Sequence, residues 1–197
     1  MKLNLGCGKQ PLAGWTNVDS VALPGVDVVW DIETPMPHFA IDSVDKFHAN
    51  HVLEHLANPL AFMQECWRIA KPDALFTINV PYGSSDNAWE DPTHKRPYFL
   101  NSWLYFSQAP YTLADYSYRG DWATVQRTLV LDVKAFPQLL KLQERLDEVM
   151  SLVMTTRNMI LEMRVVLRAI KPARIAGNFR ESAPVTFAFG TISDGKH

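Results

Sequence analysis

Short runs of alternating apolar and polar residues recur through the first eighty positions of this chain, and turn-forming residues separate them. Such period-two runs are typical of strands whose apolar side chains face a core. The pattern predicts five strands, at residues 2–5, 16–19, 26–30, 43–49 and 74–80.

A helical period follows the fourth strand. Leu60, Met63, Trp67 and Ala70 recur at spacings of three and four, and Pro59 stands at the first turn. Strands that alternate with helical segments are typical of a parallel sheet. We therefore predict an α/β fold.

Residues 83–122 depart from this regular pattern because aromatic side chains are concentrated there. Two compatible interpretations are open: a small hydrophobic core over the edge of the sheet, or a cap that encloses a substrate. We predict an aromatic cap insertion after strand five. Its aromatic residues are Trp89, Tyr98, Phe99, Trp103, Tyr105, Phe106, Tyr111, Tyr116, Tyr118 and Trp122.

The last third of the chain combines a strand-like run at residues 123–133 with a long apolar repeat. Apolar residues recur every three or four positions over 139–167, which predicts a helical insertion at residues 134–163. The repeat fits a helix packed on its own sheet, or a coiled-coil seam through which the chain forms a homodimer. Residues 163–170 are compatible with helix or strand, and residues 185–189 predict an edge strand.

The composition narrows the class of protein. The 197 residues are 47% hydrophobic, which is enough for one well-buried core, and no linker or repeat divides them. A net charge of −2 gives no global positive field for nucleic acid, although a local basic patch would suffice. Cys7 and Cys66 are too few for a disulfide framework or a structural zinc site, so we predict a reducing, cytoplasmic location and no metal. No apolar run approaches the ~18 residues of a membrane span.

A glycine turn after the first strand indicates a ligand site. The first strand breaks into Gly6-Cys7-Gly8, and the second strand ends in Asp19. Glycines allow the backbone to approach a ligand closely, and an acid at the end of the next strand accepts hydrogen bonds from two ribose hydroxyls. The next glycine is Gly14, and the acid follows the turn by about ten residues instead of the ~20 of a dinucleotide fingerprint. The spacing favours a nucleoside ligand without phosphates.

Three segments resemble motifs of the class I S-adenosylmethionine-dependent methyltransferases, particularly the compact type 11 kind. LNLGCG with GWTNVD is similar to the glycine motif and the acid of strand two. Residues 31–56 resemble the third- and fourth-strand region, and residues 68–82 resemble the following helix, turn and strand, with Asp73 where the family usually has glycine. The resemblance covers residues 1–82 well and the rest thinly.

This resemblance implies a Rossmann-like, doubly wound, mostly parallel sheet of seven strands with helices on both faces. It also implies S-adenosylmethionine as cofactor and S-adenosylhomocysteine as product. We predict one domain over residues 1–197, with a cofactor-binding half (1–82), a substrate cap (83–122) and a helical insertion (134–163).

Roles for individual residues follow from the resemblance. The glycine turn would pass beneath the methionine part of the cofactor, and Asp19 would bind the ribose. Asp31 would accept from the adenine amine, and Asn4 stands where many relatives carry an acid. The implied cofactor-binding residues are Leu5, Gly6, Cys7, Gly8, Asp19, Asp31, Ile32, Asn50 and His51.

Methyl transfer demands little of the protein beyond in-line positioning and exclusion of water, and a base is needed only if the acceptor loses a proton. The candidate catalytic residues are His51, His55 and His94; a structural histidine capping a helix is the alternative for His55. The polar loop at 91–97 is predicted to face the acceptor. The implied substrate residues are Asp91, His94, Lys95, Arg96 and Tyr98.

Two other classes of function stay open. His51-Val52-Leu53-Glu54-His55 matches the H-x-x-E-H pattern of certain zinc peptidases, which place both histidines and the acid on one helix. A non-catalytic cofactor-binding or assembly protein would also keep the glycine motif. The favoured acceptor is an oxygen or nitrogen of a small molecule or sugar, and protein or nucleic acid acceptors remain open.

Overall fold

The computed structural model describes residues 1–112, 116–177 and 183–190. These residues contain eight strands in one sheet, ordered β3-β2-β1-β4-β5-β7-β6-β8. The strands are β1 Lys2–Leu5, β2 Thr16–Asp19, β3 Val28–Val29, β4 Val44–Asn50, β5 Ala70–Pro81, β6 Trp122–Asp132, β7 Ile160–Ala169 and β8 Val185–Gly190.

The sheet is mostly parallel. Strands β1 to β5 pair in parallel, β7 is antiparallel to both of its neighbours, and β8 is parallel to β6. The order reverses between β1 and β4, and open α/β sheets bind ligands at the carboxyl ends of the strands at such a point. The predicted α/β class is confirmed, with eight strands where seven were predicted.

Helices are few. They are α1 Pro59–Ile69, α2 Asn87–Glu90 and α3 Leu146–Thr155, with 3-10 turns at Leu53–His55, Ser102–Phe106 and Pro137–Leu142. The connections from β1 to β2, β2 to β3 and β3 to β4 contain turns and no helix. Within the described residues, no helix is long and apolar enough to cross a membrane.

Helix α1 forms where its sequence predicts. The Asn58 side chain accepts a hydrogen bond from the Ala61 amide at 3.1 Å, and Pro59 occupies the first turn, where no amide donor is needed. Phe62, Met63 and other apolar residues of one face are buried against the sheet core. Helix α1, which connects β4 to β5, is thereby held against the sheet core.

The predicted helical insertion and its seam are corrected by the structure. Only α3 and the 3-10 turn at Pro137–Leu142 are helical between β6 and β7, and residues from Ile160 onward form a strand between β5 and β6. The apolar repeat is divided between two successive elements, the helix α3 and the strand β7. Asn158, with a left-handed backbone (φ 61°), lies in the turn between them. Leu139, Val149, Met163 and Leu167 of the repeat lie in the chain's own core, whereas Leu146 is 46% exposed, so a continuous seam over 139–167 does not form.

The aromatic segment divides into two populations. Trp103, Tyr118 and Trp122 are fully buried and extend the core over the sheet. Trp89 and Tyr116 are 60% and 59% exposed. The buried aromatic residues therefore form a second layer of core, as one of the two interpretations predicts, and the role of this segment as a substrate cap stays a prediction. Residues 113–115 of the predicted cap lie outside the described part of the chain.

Candidate active site

The glycine turn has the backbone conformation that its residues predict. Gly6 and Gly8 have φ values of 62° and 50°, in the left-handed region that favours glycine. A Cβ on Gly6 would lie 2.6 Å from Cγ2 of Val52, so the residue after His51 packs directly on the turn. The Cys7 amide donates to the Val18 carbonyl at 3.1 Å and ties the turn to β2.

Asp19 is joined to the glycine turn by its side chain. The Gly8 amide donates to Asp19 Oδ2 at 2.7 Å, and the Val21 amide donates to Oδ1 at 3.0 Å. The half-buried carboxylate therefore has a fixed orientation beside the turn. Burial, and then the charge of Asp19, raise the pKa of the Cys7 thiol, which favours the neutral thiol over a nucleophilic thiolate.

A buried amide network supports the turn from below. Asn4 Nδ2 donates to Asn17 Oδ1 at 2.9 Å and to the Gln10 carbonyl at 3.2 Å. Asn17 Oδ1 also accepts from the Leu12 amide at 2.7 Å. Many members of the family that the sequence resembles carry an acid at the position of Asn4. Here the uncharged side chain is 3% exposed and stabilises residues 6–15 through its hydrogen bonds.

Asp31 and Ile32 follow the short strand β3. The Trp30 amide donates to the Asp19 carbonyl at 2.8 Å, which sets the two predicted acids on neighbouring strand ends. Asp31 is exposed, and its Oδ1 accepts from the Glu33 amide at 2.9 Å, while Ile32 is buried. An exposed carboxylate beside an apolar side chain is suited to an adenine amine and ring.

The end of β4 is held by its neighbour β5. The His51 amide donates to the Asn79 carbonyl at 3.0 Å, and Asn79 Nδ2 donates to Asn50 Oδ1 at 2.8 Å. His51 has a φ of 53°, which turns the chain sharply out of the strand. Asn50 and His51 thus lie at the carboxyl end of β4, next to the turn that follows β1.

The His51 ring lies between two buried carboxylates. Nε2 donates to Glu162 Oε2 at 3.0 Å, and Nδ1 lies 3.2 Å from Glu54 Oε1. Burial alone would lower the pKa of His51, but the two carboxylates outweigh it and raise the pKa to about 9. Burial would likewise raise the pKa of Glu162, and the hydrogen bonds from His51 and Arg164 lower it.

Glu162 is the functional-site residue that the sequence analysis missed. It lies on β7, opposite Pro81 and Val130, at the end of the sheet where β4 also ends. A signal was present, because Glu162 is an acid within an apolar run. Because the sequence analysis assigned residues up to 163 to a helix, it did not predict the pairing of β7 with β5 and β6 that places Glu162 next to His51.

His55 and His94 are brought together although 39 positions separate them. Their rings meet edge to face with centroids 4.7 Å apart. His55 Nδ1 lies 2.9 Å from the Thr93 hydroxyl, which itself donates to Asp91 Oδ1 at 2.6 Å, and His94 Nδ1 lies 3.3 Å from the Ala88 carbonyl. The loop 91–97 therefore faces the 3-10 turn that follows β4, as a site for the acceptor requires.

The two cations of this loop hold it in place. The Lys95 amide donates to the Glu54 carbonyl at 2.7 Å, and Lys95 Nζ lies 3.7 Å from Glu33 Oε1. Arg96 donates to the Ala57 carbonyl at 2.9 Å. Their predicted contact with an anionic acceptor therefore competes with contacts inside the protein.

Tyr98 is also engaged within the protein. Its hydroxyl donates to the Leu53 carbonyl at 3.2 Å, its ring stacks on Trp103, and only 3% of it is exposed. Burial raises the pKa of Tyr98, which keeps the phenol neutral. The structure therefore gives Tyr98 a supporting position beneath the Leu53–His55 turn, where it is not free to contact an acceptor.

The zinc-peptidase pattern does not form its helix here. His51 is the turn residue after β4, and only Leu53–His55 is helical, as a single 3-10 turn. His51 contacts Glu54 and Glu162, while His55 contacts Thr93 and His94. The two histidines of the pattern therefore belong to different clusters.

Comparison with known proteins agrees with this geometry. Residues 14–78 match the family model of the type 11 methyltransferase domain. The match covers about a third of the chain and contains β2, β3, β4, α1 and most of β5, so over this segment the chain is similar to that family. A comparison with curated protein sequences gives no match.

Solved structures with low sequence identity share the fold. An S-adenosylmethionine-dependent methyltransferase from Archaeoglobus fulgidus is 15% identical with a TM-score of 0.54, covering 85% of each chain. One from Mesorhizobium loti is 12% identical with a TM-score of 0.52, covering 85% of this chain and 90% of that one. The YcgJ protein from Bacillus subtilis is 13% identical with a TM-score of 0.53, covering 87% and 92%.

The cofactor of this methyltransferase family is S-adenosylmethionine, and the residues present fit it. The left-handed Gly6 and Gly8 give a backbone surface without side chains at the switch point of the sheet. Asp19 offers an oriented carboxylate, and Asp31 an exposed one, on the next two strands.

Proposed function

We propose that this protein transfers the methyl group of S-adenosylmethionine to an oxygen or nitrogen of a small molecule or sugar. The observation that carries the proposal is the contact between the two halves of the site. Val52 packs on Gly6, and the turn that begins there carries Glu54 and His55 into contact with the loop of His94. A donor site and an acceptor site are therefore built on adjoining residues.

The cofactor supplies a methyl group on a positively charged sulfur, which is already a strong electrophile. Gly6 and Gly8 would bind its methionine part through the backbone, Asp19 the ribose hydroxyls, and Asp31 with Ile32 the adenine. Asn50 and His51 would line the sulfonium side from the end of β4. The chain's own contribution is then positioning and the exclusion of water, which account for large accelerations without acid–base chemistry.

The acceptor side is assigned to His55 and His94. Both ring nitrogens of His51 face carboxylates at 3.0 and 3.2 Å, so His51 is a poor acceptor of a proton. His55 is half-buried beside the exposed Asp91 and Thr93, whereas the side chain of His94 is only 9% exposed, so His55 is the more accessible of the two rings. These two rings would contact an acceptor hydroxyl or amine.

Titration calorimetry with S-adenosylmethionine and S-adenosylhomocysteine tests the donor half. Replacing Asp19 by Asn removes a charged acceptor, and hydrogen bonds to charged groups contribute about 1.5–3 kcal/mol, so the affinity should fall about 10- to 150-fold. The matched control is Asp42→Asn, at an exposed acid paired with Lys171 away from the turn. Equal binding by the Asp19 variant and the parent, or no binding by either, would refute the proposal. Binding without turnover on any acceptor would favour a non-catalytic cofactor-binding protein.

A further inference from the structure

A carboxylate and two imidazoles converge on the acceptor side of the site. Glu54, His55 and His94 each place one potential ligand atom within 4.8 Å of the others. Atoms bound to one ion at about 2.0–2.2 Å lie about 3–4 Å apart, so small side-chain rotations would bring the three into one coordination sphere. His94 reaches this cluster from a loop far along the chain, whereas Glu54 and His55 are consecutive.

The carboxylate of Glu54 lacks the hydrogen bonds that a buried acid requires. Glu54 is 2% exposed, and among the described residues neither carboxylate oxygen accepts a hydrogen bond. Its ion-pair contact with His51 involves Oε1 only. His51 offsets the negative charge from the side of Oε1, whereas Oε2 is a buried oxygen with no partner among the described residues, and a coordinated cation would supply one.

The two histidines are oriented as metal ligands usually are. Metal-bound imidazoles typically donate the second ring N–H to a carboxylate, a carbonyl or another oxygen. The Thr93 hydroxyl donates to Asp91, so it accepts the hydrogen bond from His55 Nδ1, and the Ala88 carbonyl accepts from His94 Nδ1. Both Nδ1 atoms are thereby engaged, so Nε2 of each ring is the nitrogen that would bind an ion. His94 Nε2 also lies 3.8 Å from Oδ2 of the exposed Asp91, a distance longer than a hydrogen bond.

We propose that Glu54, His55 and His94 bind a divalent transition-metal ion at the acceptor side of the site. Two imidazoles and one carboxylate suit zinc, cobalt, iron or manganese better than magnesium or calcium, which prefer oxygen ligands. Glu54 and the ring of His94 are almost fully buried, and His55 is half-buried beside the exposed Thr93. The site differs from the zinc-peptidase pattern, because His51 is engaged by carboxylates and His94 takes its place.

This inference rests on the proposed methyl transfer, and it narrows the chemical class of the acceptor to a compound with a hydroxyl group. A divalent ion lowers the pKa of a bound hydroxyl group toward neutrality. The acceptor oxygen then attacks the methyl carbon, the carbon–sulfur bond breaks, and neutral S-adenosylhomocysteine leaves, with the hydroxyl proton released to solvent. In this arrangement His55 and His94 act as ligands, and the ion replaces a general base.

Metal binding to the tag-free, chelator-treated protein tests the site without any acceptor. We expect one equivalent of Zn²⁺ per chain by calorimetry and elemental analysis, and a visible absorption band on adding Co²⁺. His55→Gln and His94→Gln should each lose stoichiometric binding and the band. The control His38→Gln, at an exposed ring stacked edge to face on Trp30, should keep both.

A second variant separates a ligand role from a structural one. Thr93→Val removes only the hydroxyl that orients His55, and such outer-shell changes weaken metal binding about 10- to 100-fold. No stoichiometric binding by the parent, or equal binding by Thr93→Val, His94→Gln and His38→Gln, would overturn the proposal. Cofactor calorimetry on the metal-free protein is independent of this outcome, so loss of the metal site and loss of the proposed methyl transfer are distinguishable.

Discussion

The side chain of Val52 occupies the space that a Cβ on Gly6 would need, with Cγ2 2.6 Å from the ideal Cβ position. This contact joins the turn after β1 to the turn after β4, across the point where the strand order reverses. Val52 is itself buried, so it has little room to move away. The turns after β1 and β4, to which we assign the donor and acceptor sides, are therefore coupled at one contact.

Replacing Gly6 by alanine should abolish measurable cofactor binding and destabilise the fold. A left-handed conformation costs an alanine about 1–2 kcal/mol, and the overlap with Val52 should add about 1–3 kcal/mol. Gly14→Ala is the matched control, because Gly14 has a φ of 75° but no atom within 4 Å of its ideal Cβ. Urea unfolding and cofactor calorimetry on both variants give the comparison.

The double variant Gly6→Ala with Val52→Ala checks the cause of this loss. Removing the valine methyls relieves the overlap and leaves the backbone cost, so stability and cofactor affinity should recover in part. A double variant no better than Gly6→Ala alone would show that the contact with Val52 is not the reason.

The Tyr98 hydroxyl is expected to stabilise the turn that carries Glu54 and His55. Tyr98→Phe removes a buried hydrogen bond to the Leu53 carbonyl and should cost about 0.5–1.5 kcal/mol of unfolding free energy. Tyr105→Phe makes the same change at a ring that is 52% exposed and should stay within about 0.5 kcal/mol of the parent. Identical unfolding midpoints for the two variants would contradict the supporting role.

Arg174 neutralises a carboxylate that is completely buried. Two of its side-chain nitrogens donate to Asp121 at 2.7 Å, and Asp121 is 0% exposed. Arg174→Ala leaves that charge without its partner and should cost about 3–5 kcal/mol. Arg145→Ala breaks a surface pair with Glu148 and should cost about 0–1 kcal/mol. Chemical denaturation measures both, and a similar loss in the two variants would refute this ranking.

The features that could be predicted from the sequence depend on residues that are close together along the chain. The turn at Gly6 and Gly8 needs left-handed backbone, and Asn58 with Pro59 caps a helix by local hydrogen bonding. The strands of the first half were predicted from alternation and apolar runs, although β3 is only Val28–Val29 and β5 begins at Ala70, four residues before the predicted start and at a position assigned to the helix. Asp19 was identified from its position after a strand, and its hydrogen bond to Gly8 explains why that position matters.

The features that escaped prediction depend on contacts between distant segments. An apolar repeat of three and four is satisfied both by α3 and by β7, and only pairing with β5 and β6 decides the second case. Glu162 reaches His51 through that pairing. Arg96 and Tyr98 likewise contact residues near the Leu53–His55 turn, about forty positions earlier in the chain. A pattern of neighbouring residues does not predict such contacts.

Transfer of a labelled methyl group tests the central claim most directly. The protein is incubated with methyl-labelled S-adenosylmethionine and size-fractionated cell extract, and label and S-adenosylhomocysteine are measured together. The account predicts label in the small-molecule fraction with an equal amount of S-adenosylhomocysteine, lost in Asp19→Asn and retained in Asp42→Asn. No label in any fraction, together with unchanged cofactor binding by Asp19→Asn, would contradict it.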